Sequence, residues 1–141
     1  MTPLSIALIC VFLQVGLTFW ALLRMGSVRV ASHKAREVTF GDVALDTRNY
    51  PDGVRKVSNN VTNQFETPVL FYAVVAIALA TGTANWPLAI GVVIFVASRY
   101  VHHMIHVGSN HVRKRFNAFL VGLIGLLIAW IGLGVALLGT L

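Results

Sequence analysis

Residues 86–107 read WPLAIGVVIFVASRYVHHMIHV, and no charge occurs before Arg99. A membrane-spanning helix needs roughly 20 mostly apolar residues, and this run supplies them. Three further apolar runs surround it, at about 3–23, 65–80 and 116–141. The second is short, but Val54, Val57, Val61 and Phe65 recur at helical spacing and extend it back toward Asp52 as an amphipathic projection. The expected fold is all-α: an integral membrane four-helix bundle forming a single domain over 1–141. Its spans are expected at about 3–24, 54–81 including the cytoplasmic extension, 86–108 and 116–140. A polar cytoplasmic loop is expected at about 25–53.

Composition supports lipid as the solvent. The chain is 57% hydrophobic and 11% charged, against roughly 25% charged in soluble domains. Its formal net charge of +6 does not point to nucleic acid. The basic residues flank apolar runs, with no aromatic interleaving and no recognisable nucleic-acid-binding fold. They are also one-sided. Arg24, Arg29, Lys34, Arg36, Arg48, Arg55 and Lys56 lie in the first connection, Arg113, Lys114 and Arg115 in the third, and the 81–85 turn has none. The positive-inside rule places both connections in the cytoplasm and both termini outside it. Trp20 and Trp86 fall where interfacial anchors belong. No Lys or Arg precedes the first run and no small-residue cleavage site follows it, so it is expected to be a retained helix. The single cysteine, Cys10, excludes an intrachain disulfide.

In the last run, Ala118, Gly122, Gly125, Ala129, Gly132, Ala136 and Gly139 are spaced alternately by four and three. The stripe predicts a close-packing seam, within the bundle or between subunits. Asn63-Gln-Phe-Glu66 has the spacing of a capping box, with Asn63 as the N-cap. Pro68 follows, so the backbone is irregular here whether a helix starts at Asn63 or is kinked after starting near Asp52.

Glu66 and Arg99 lie about 24 and 21 Å from the 81–85 turn at 1.5 Å per residue, near one depth. A charge at such depth is expensive and usually has a partner. An ion pair or a shared polar site between them is therefore expected. Arg99, His102, His103 and His106 share one helical face. The i, i+4 spacing of His102 and His106 is compatible with a metal, but nothing clearly completes a shell and no metal is expected. The competing reading is a set of interfacial histidines wetted by lipid headgroups. The Asn110–Arg115 segment forms a basic cluster, either a lipid anchor or part of an anion site.

Asn63-Gln-Phe-Glu66 opening the second span and Arg99-x-x-His102 in the third resemble the MAPEG family, the membrane-associated proteins of eicosanoid and glutathione metabolism, in a bacterial-type form. The resemblance covers essentially the whole chain. It implies a homotrimer that binds glutathione as co-substrate between subunits near the cytoplasmic side, in a bacterial inner membrane. By resemblance, Asn63, Glu66, Arg99 and His102 line the glutathione site, and Arg115 activates the thiol. His106, Arg113 and Arg55 are the further candidates. His106 and Phe119 stand where synthase-like members tend to carry tyrosine. A glutathione-dependent transferase or peroxidase acting on apolar electrophiles or hydroperoxides is expected. The alternative is a non-catalytic, lipid-binding accessory protein on the same scaffold. A metal-linked or transport role is a third reading, and the lack of an inverted repeat argues against a typical transporter.

Overall fold

The computed structural model describes residues 1–139, and the end of the fourth run lies outside them. The chain is helical throughout: α1 Pro3–Lys34, α2 Phe40–Val43, a 3₁₀ turn Thr47–Asn49, α3 Asp52–Thr62, α4 Pro68–Thr81, α5 Trp86–Val107 and α6 Val112–Leu138. Three helices, α1, α5 and α6, are long and apolar enough to cross a membrane. The apolar helix of the second run, α4, has 14 residues, about 21 Å of helix against a hydrocarbon core of roughly 30 Å.

Several boundaries differ from those expected. α1 continues through Lys34, so the first part of the segment expected as a polar loop is helix. No Gly or Pro follows Arg24 closely enough to stop it except Gly26, and a lone glycine costs a helix only about 1 kcal/mol. The second run is two helices rather than one. Pro68 has no N–H to give inside a helix, so the chain breaks at 63–67 and Pro68 becomes the first residue of α4. α6 starts at Val112, which places Arg113, Lys114 and Arg115 in its first turn rather than in a connection.

The remaining polar segment folds back on the end of α1. Thr39 and Asp42 form a reciprocal capping box for α2, and the Thr39 hydroxyl holds the Asp42 carboxyl below its ordinary range. His33 stands at the centre, 3.1 Å from both the Val38 carbonyl and the Tyr50 hydroxyl and stacked on Phe40.

The small-residue stripe packs within the chain. Ala118, Gly122, Gly125, Ala129 and Gly132 are all buried, and the glycines among them face α5. A methyl group on Gly91 would lie 2.5 Å from the Gly125 carbonyl oxygen and 2.6 Å from the Ala129 nitrogen, and one on Gly132 would lie 2.9 Å from the Leu88 nitrogen. The two backbones therefore touch. Asn85 locks the end of the seam, accepting from the Leu88 N–H at 2.9 Å while donating to the Gly132 carbonyl at 2.7 Å. Gly82 supplies the left-handed residue, φ 67°, that ends α4 and lets α5 turn back.

Gly91→Leu is expected to force α5 and α6 apart and cost about 1–3 kcal/mol or more. Gly134→Ala, where nothing lies within 4 Å of the added carbon, is expected to be neutral or slightly stabilising. Thermal unfolding of both variants in one detergent checks the contrast.

Candidate functional site

The site begins at the helix break. Asn63 is not an N-cap: it follows the last residue of α3 in αR conformation, and its Nδ2 donates to the Asn59 carbonyl at 2.8 Å. The capping-box spacing is thus not used. Gln64 and Phe65 continue in tight turns to the Val61 and Thr62 carbonyls, and Val69 reaches back to Glu66. The break leaves the Asn63 carbonyl facing α5, where Arg99 Nη2 donates to it at 2.7 Å.

This contact stands where a direct ion pair, one of the two expected alternatives, would be; Glu66 acts on the guanidinium as a nearby charge without touching it. Among the described residues the ion pairs are Arg48–Asp46 and Arg55–Asp52, both in the polar segments. Glu66 and Arg99 do come to similar depth, but the arginine, only 2% exposed, is held by a main-chain carbonyl, while Glu66 is exposed. Physically, a carbonyl stranded by a helix break needs a donor in any case, and Arg99 is the donor within reach.

The histidine face is buried. His102, His103 and His106 are each at most 3% exposed, which removes the reading of headgroup-wetted side chains within this chain. His102 Nδ1 lies 3.2 Å from the Arg115 carbonyl and its ring meets those of His106 and Phe119. His103 turns the other way, onto Trp20 of α1 at 4.5 Å between ring centroids. Trp20 is therefore a packing partner of α5. Among the described residues, no group of three or more His, Cys, Asp or Glu side chains is placed to hold a metal.

A cavity of about 220 Å³ opens beside this face, lined by Asn63, Glu66, His102, Val112, Arg115, Phe116 and Phe119. Four of the predicted residues, from the α3–α4 break, α5 and α6, thus share one pocket. Arg115 is fixed at both ends, its carbonyl on His102 and its Nη1 donating to Asn110 Oδ1 at 2.8 Å. Asn110 adopts a left-handed φ of 52°, which asparagine tolerates better than most residues. The pocket has one cation, one carboxylate, a carboxamide, an imidazole and an apolar wall. It can bind a ligand carrying charges of both signs and admit an apolar one alongside.

Arg99, His106, Arg113 and Arg55 do not line it. Arg99 and His106 support it from behind, Arg113 is exposed on the first turn of α6, and Arg55 lines a separate polar cavity of about 340 Å³ with Asp52, Lys56, Asn59 and Asn110. The sequence placed Asn110 and Val112 only within the basic 110–115 cluster, and it did not single out Phe116 as a pocket residue or Asn110 as the partner of Arg115. The signal for Asn110 was present: an asparagine after Gly108-Ser109 and before a helix suits a left-handed turn residue.

Comparison with protein-family models finds the MAPEG family over residues 7–135. The chain belongs to that family, and with its long apolar helices it is an integral membrane protein. No curated protein and no solved structure matches it.

Removing the Arg99 donor strands the Asn63 carbonyl. Arg99→Met is expected to cost about 1–3 kcal/mol and to speed hydrogen exchange across 63–67. Glu66→Gln, with no ion pair to lose, is expected to change stability by less than about 1 kcal/mol. Thermal melts and hydrogen exchange of the two variants check this. A loss for Glu66→Gln as large as that for Arg99→Met would restore the ion pair.

Proposed function

We propose that this MAPEG-family protein is a glutathione-dependent transferase or peroxidase, with Arg115 stabilising the glutathione thiolate. The observation that carries this reading is the meeting of Arg115, Glu66, Asn63 and His102 in one cavity with an apolar wall. Glutathione brings two carboxylates, one amine and one thiol. Glu66 complements the amine, Asn63 offers a carboxamide to a carboxylate or peptide group, and the guanidinium of Arg115 faces the sulfur. Lowering a thiol pKa by two units needs about 2.7 kcal/mol of preferential interaction with the anion, which a close guanidinium in a partly dry site can supply. Asn110 keeps that guanidinium in place.

The chemistry then follows from the thiolate. Its proton leaves to solvent. The sulfur pair attacks an electrophilic carbon of an apolar substrate, forming a C–S bond as a leaving group departs with its bonding pair or, at an activated double bond, as the π pair moves to the adjacent atom and takes a proton from solvent. With a hydroperoxide it attacks the outer oxygen instead and breaks the O–O bond, giving glutathione sulfenic acid and an alkoxide that takes a proton from solvent; a second glutathione thiol then displaces water from the sulfenic acid to form the disulfide. Val112, Phe116 and Phe119 form the side from which an apolar substrate enters out of the bilayer.

The proposed assembly is a homotrimer of four-span subunits, with α3, the break and α4 together making the second crossing. Both termini lie outside the cytoplasm and the basic segments inside it, in accordance with the one-sided charge. A second reading, a lipid-binding accessory protein without catalysis, is favoured by Phe119, which lines the cavity without a hydroxyl, and by an apolar groove of about 460 Å³ between α1 and α5.

In lipid nanodiscs, glutathione is expected to show thiolate absorbance near neutral pH with the wild type. Arg115→Ala is expected to raise the pH midpoint by about two units, matching the loss of about 2.7 kcal/mol, and to lower conjugate formation by about 100-fold, while Arg115→Lys keeps part of both. Absence of glutathione binding, thiolate and turnover in the wild type rejects the enzyme reading and leaves the lipid-binding one.

A further inference from the structure

Beside the cavity, where α5 meets α1 and α3, lies a second polar region that the proposed chemistry does not use. Its register is set by hydrogen bonds. Lys56 Nζ donates to the Gly108 carbonyl at 2.9 Å, and Arg99 Nη2 to the Asn63 carbonyl at 2.7 Å. These two contacts pin α3 antiparallel to α5 and set Asn60 opposite His103, midway between them. α1 is tied to α3 by Gln14 Nε2 on Gln64 Oε1 at 3.1 Å and by Arg29 on Ser58 at 3.2 Å. Between those ties, Trp20 of α1 packs on His103. Asn60 and His103 therefore occupy one layer where α1, α3 and α5 meet.

Both side chains are 0% exposed. Neither atom of the Asn60 carboxamide, neither ring nitrogen of His103, nor Gln14 Oε1 has a hydrogen-bond partner, and the same holds for Arg99 Nε and Nη1 one turn before His103 on α5. Buried polar atoms almost always find partners. They belong to three helices that the ties above bring to one level, so this is a layer and not an isolated side chain. Arg99 contributes only donors, so pairing these side chains among themselves leaves donors over. Water brings lone pairs and hydrogens together, and an interior water typically makes two to four such bonds.

We propose that Asn60 and His103, with Gln14 and Arg99 at the edges of the layer, form an interior water-binding site between α1, α3 and α5. The bound water links the Asn60 carboxamide to the His103 imidazole and continues the hydrogen bonding of the Arg99 guanidinium, which keeps the Asn63 carbonyl contact formed. The site is independent of the glutathione reading, because none of these four residues lines the cavity.

The test is water-to-imidazole magnetisation transfer by NMR in ¹⁵N-histidine-labelled full-length protein in lipid nanodiscs. A cross-peak between water and the His103 ring N–H is expected in the wild type, although the ring is closed to solvent. It is expected to be lost in Asn60→Leu and kept in Asn60→Ser, which can still hold a water. Absence of the cross-peak in the wild type overturns the proposal, as does an undiminished cross-peak in Asn60→Leu. If Asn60→Leu fails to fold, Asn60→Ala against Asn60→Ser gives the same contrast, with loss expected only in the alanine variant.

Discussion

One buried contact organises the site: the Arg99 guanidinium on the Asn63 carbonyl. An arginine inside a spanning helix costs about 3 kcal/mol on insertion scales, and a main-chain carbonyl released by a helix break is itself costly to leave alone. Each offsets the other. Pro68 creates the break by withholding its N–H, the break exposes the carbonyl, and Arg99 ties that point to α5. Asn63 and Glu66 are thereby held beside His102, while the Asn110–Arg115 contact brings the first turn of α6 to the same place. The pocket is thus assembled around an interruption in secondary structure, as membrane proteins do where irregular backbone lines a cavity.

The second support is steric. Gly91 of α5 meets Gly125 and Ala129 of α6 backbone to backbone. With so close a seam, small changes at the glycines translate into shifts of α6 as a body. Arg115 sits on the first turn of that helix, so the seam fixes the distance of its guanidinium from His102 and Glu66. The stripe also serves this purpose within one chain, so subunit contacts in the proposed trimer must use other faces.

Much of this was legible in the residues. Hydropathy located the apolar runs, and alternating four-three spacing located the seam, because small residues carry a clear helical period. Counting from the 81–85 turn set Glu66 and Arg99 near one level, and Arg99 is found on the Asn63 carbonyl, three residues from Glu66. The partner was misread, because side-chain charge is visible in a sequence whereas a main-chain carbonyl freed by a break is not. The Asn63 capping box failed for a related reason: Pro68 moved the helix start past it. The extension of α1 to Lys34 was hidden by its polar composition, since a helix leaving the membrane loses its apolar signal without losing its hydrogen bonds. Gln14 stands among the apolar residues of the first run, and nothing in its spacing announces that it meets Gln64.

The account rests on where glutathione places its sulfur. The most direct measurement is an experimental structure of the protein in lipid with glutathione bound. The account predicts the tripeptide in the cavity of Asn63, Glu66, His102 and Arg115, with the sulfur in contact with the Arg115 guanidinium. Glutathione bound elsewhere, or an Arg115 turned away from the sulfur, would contradict it.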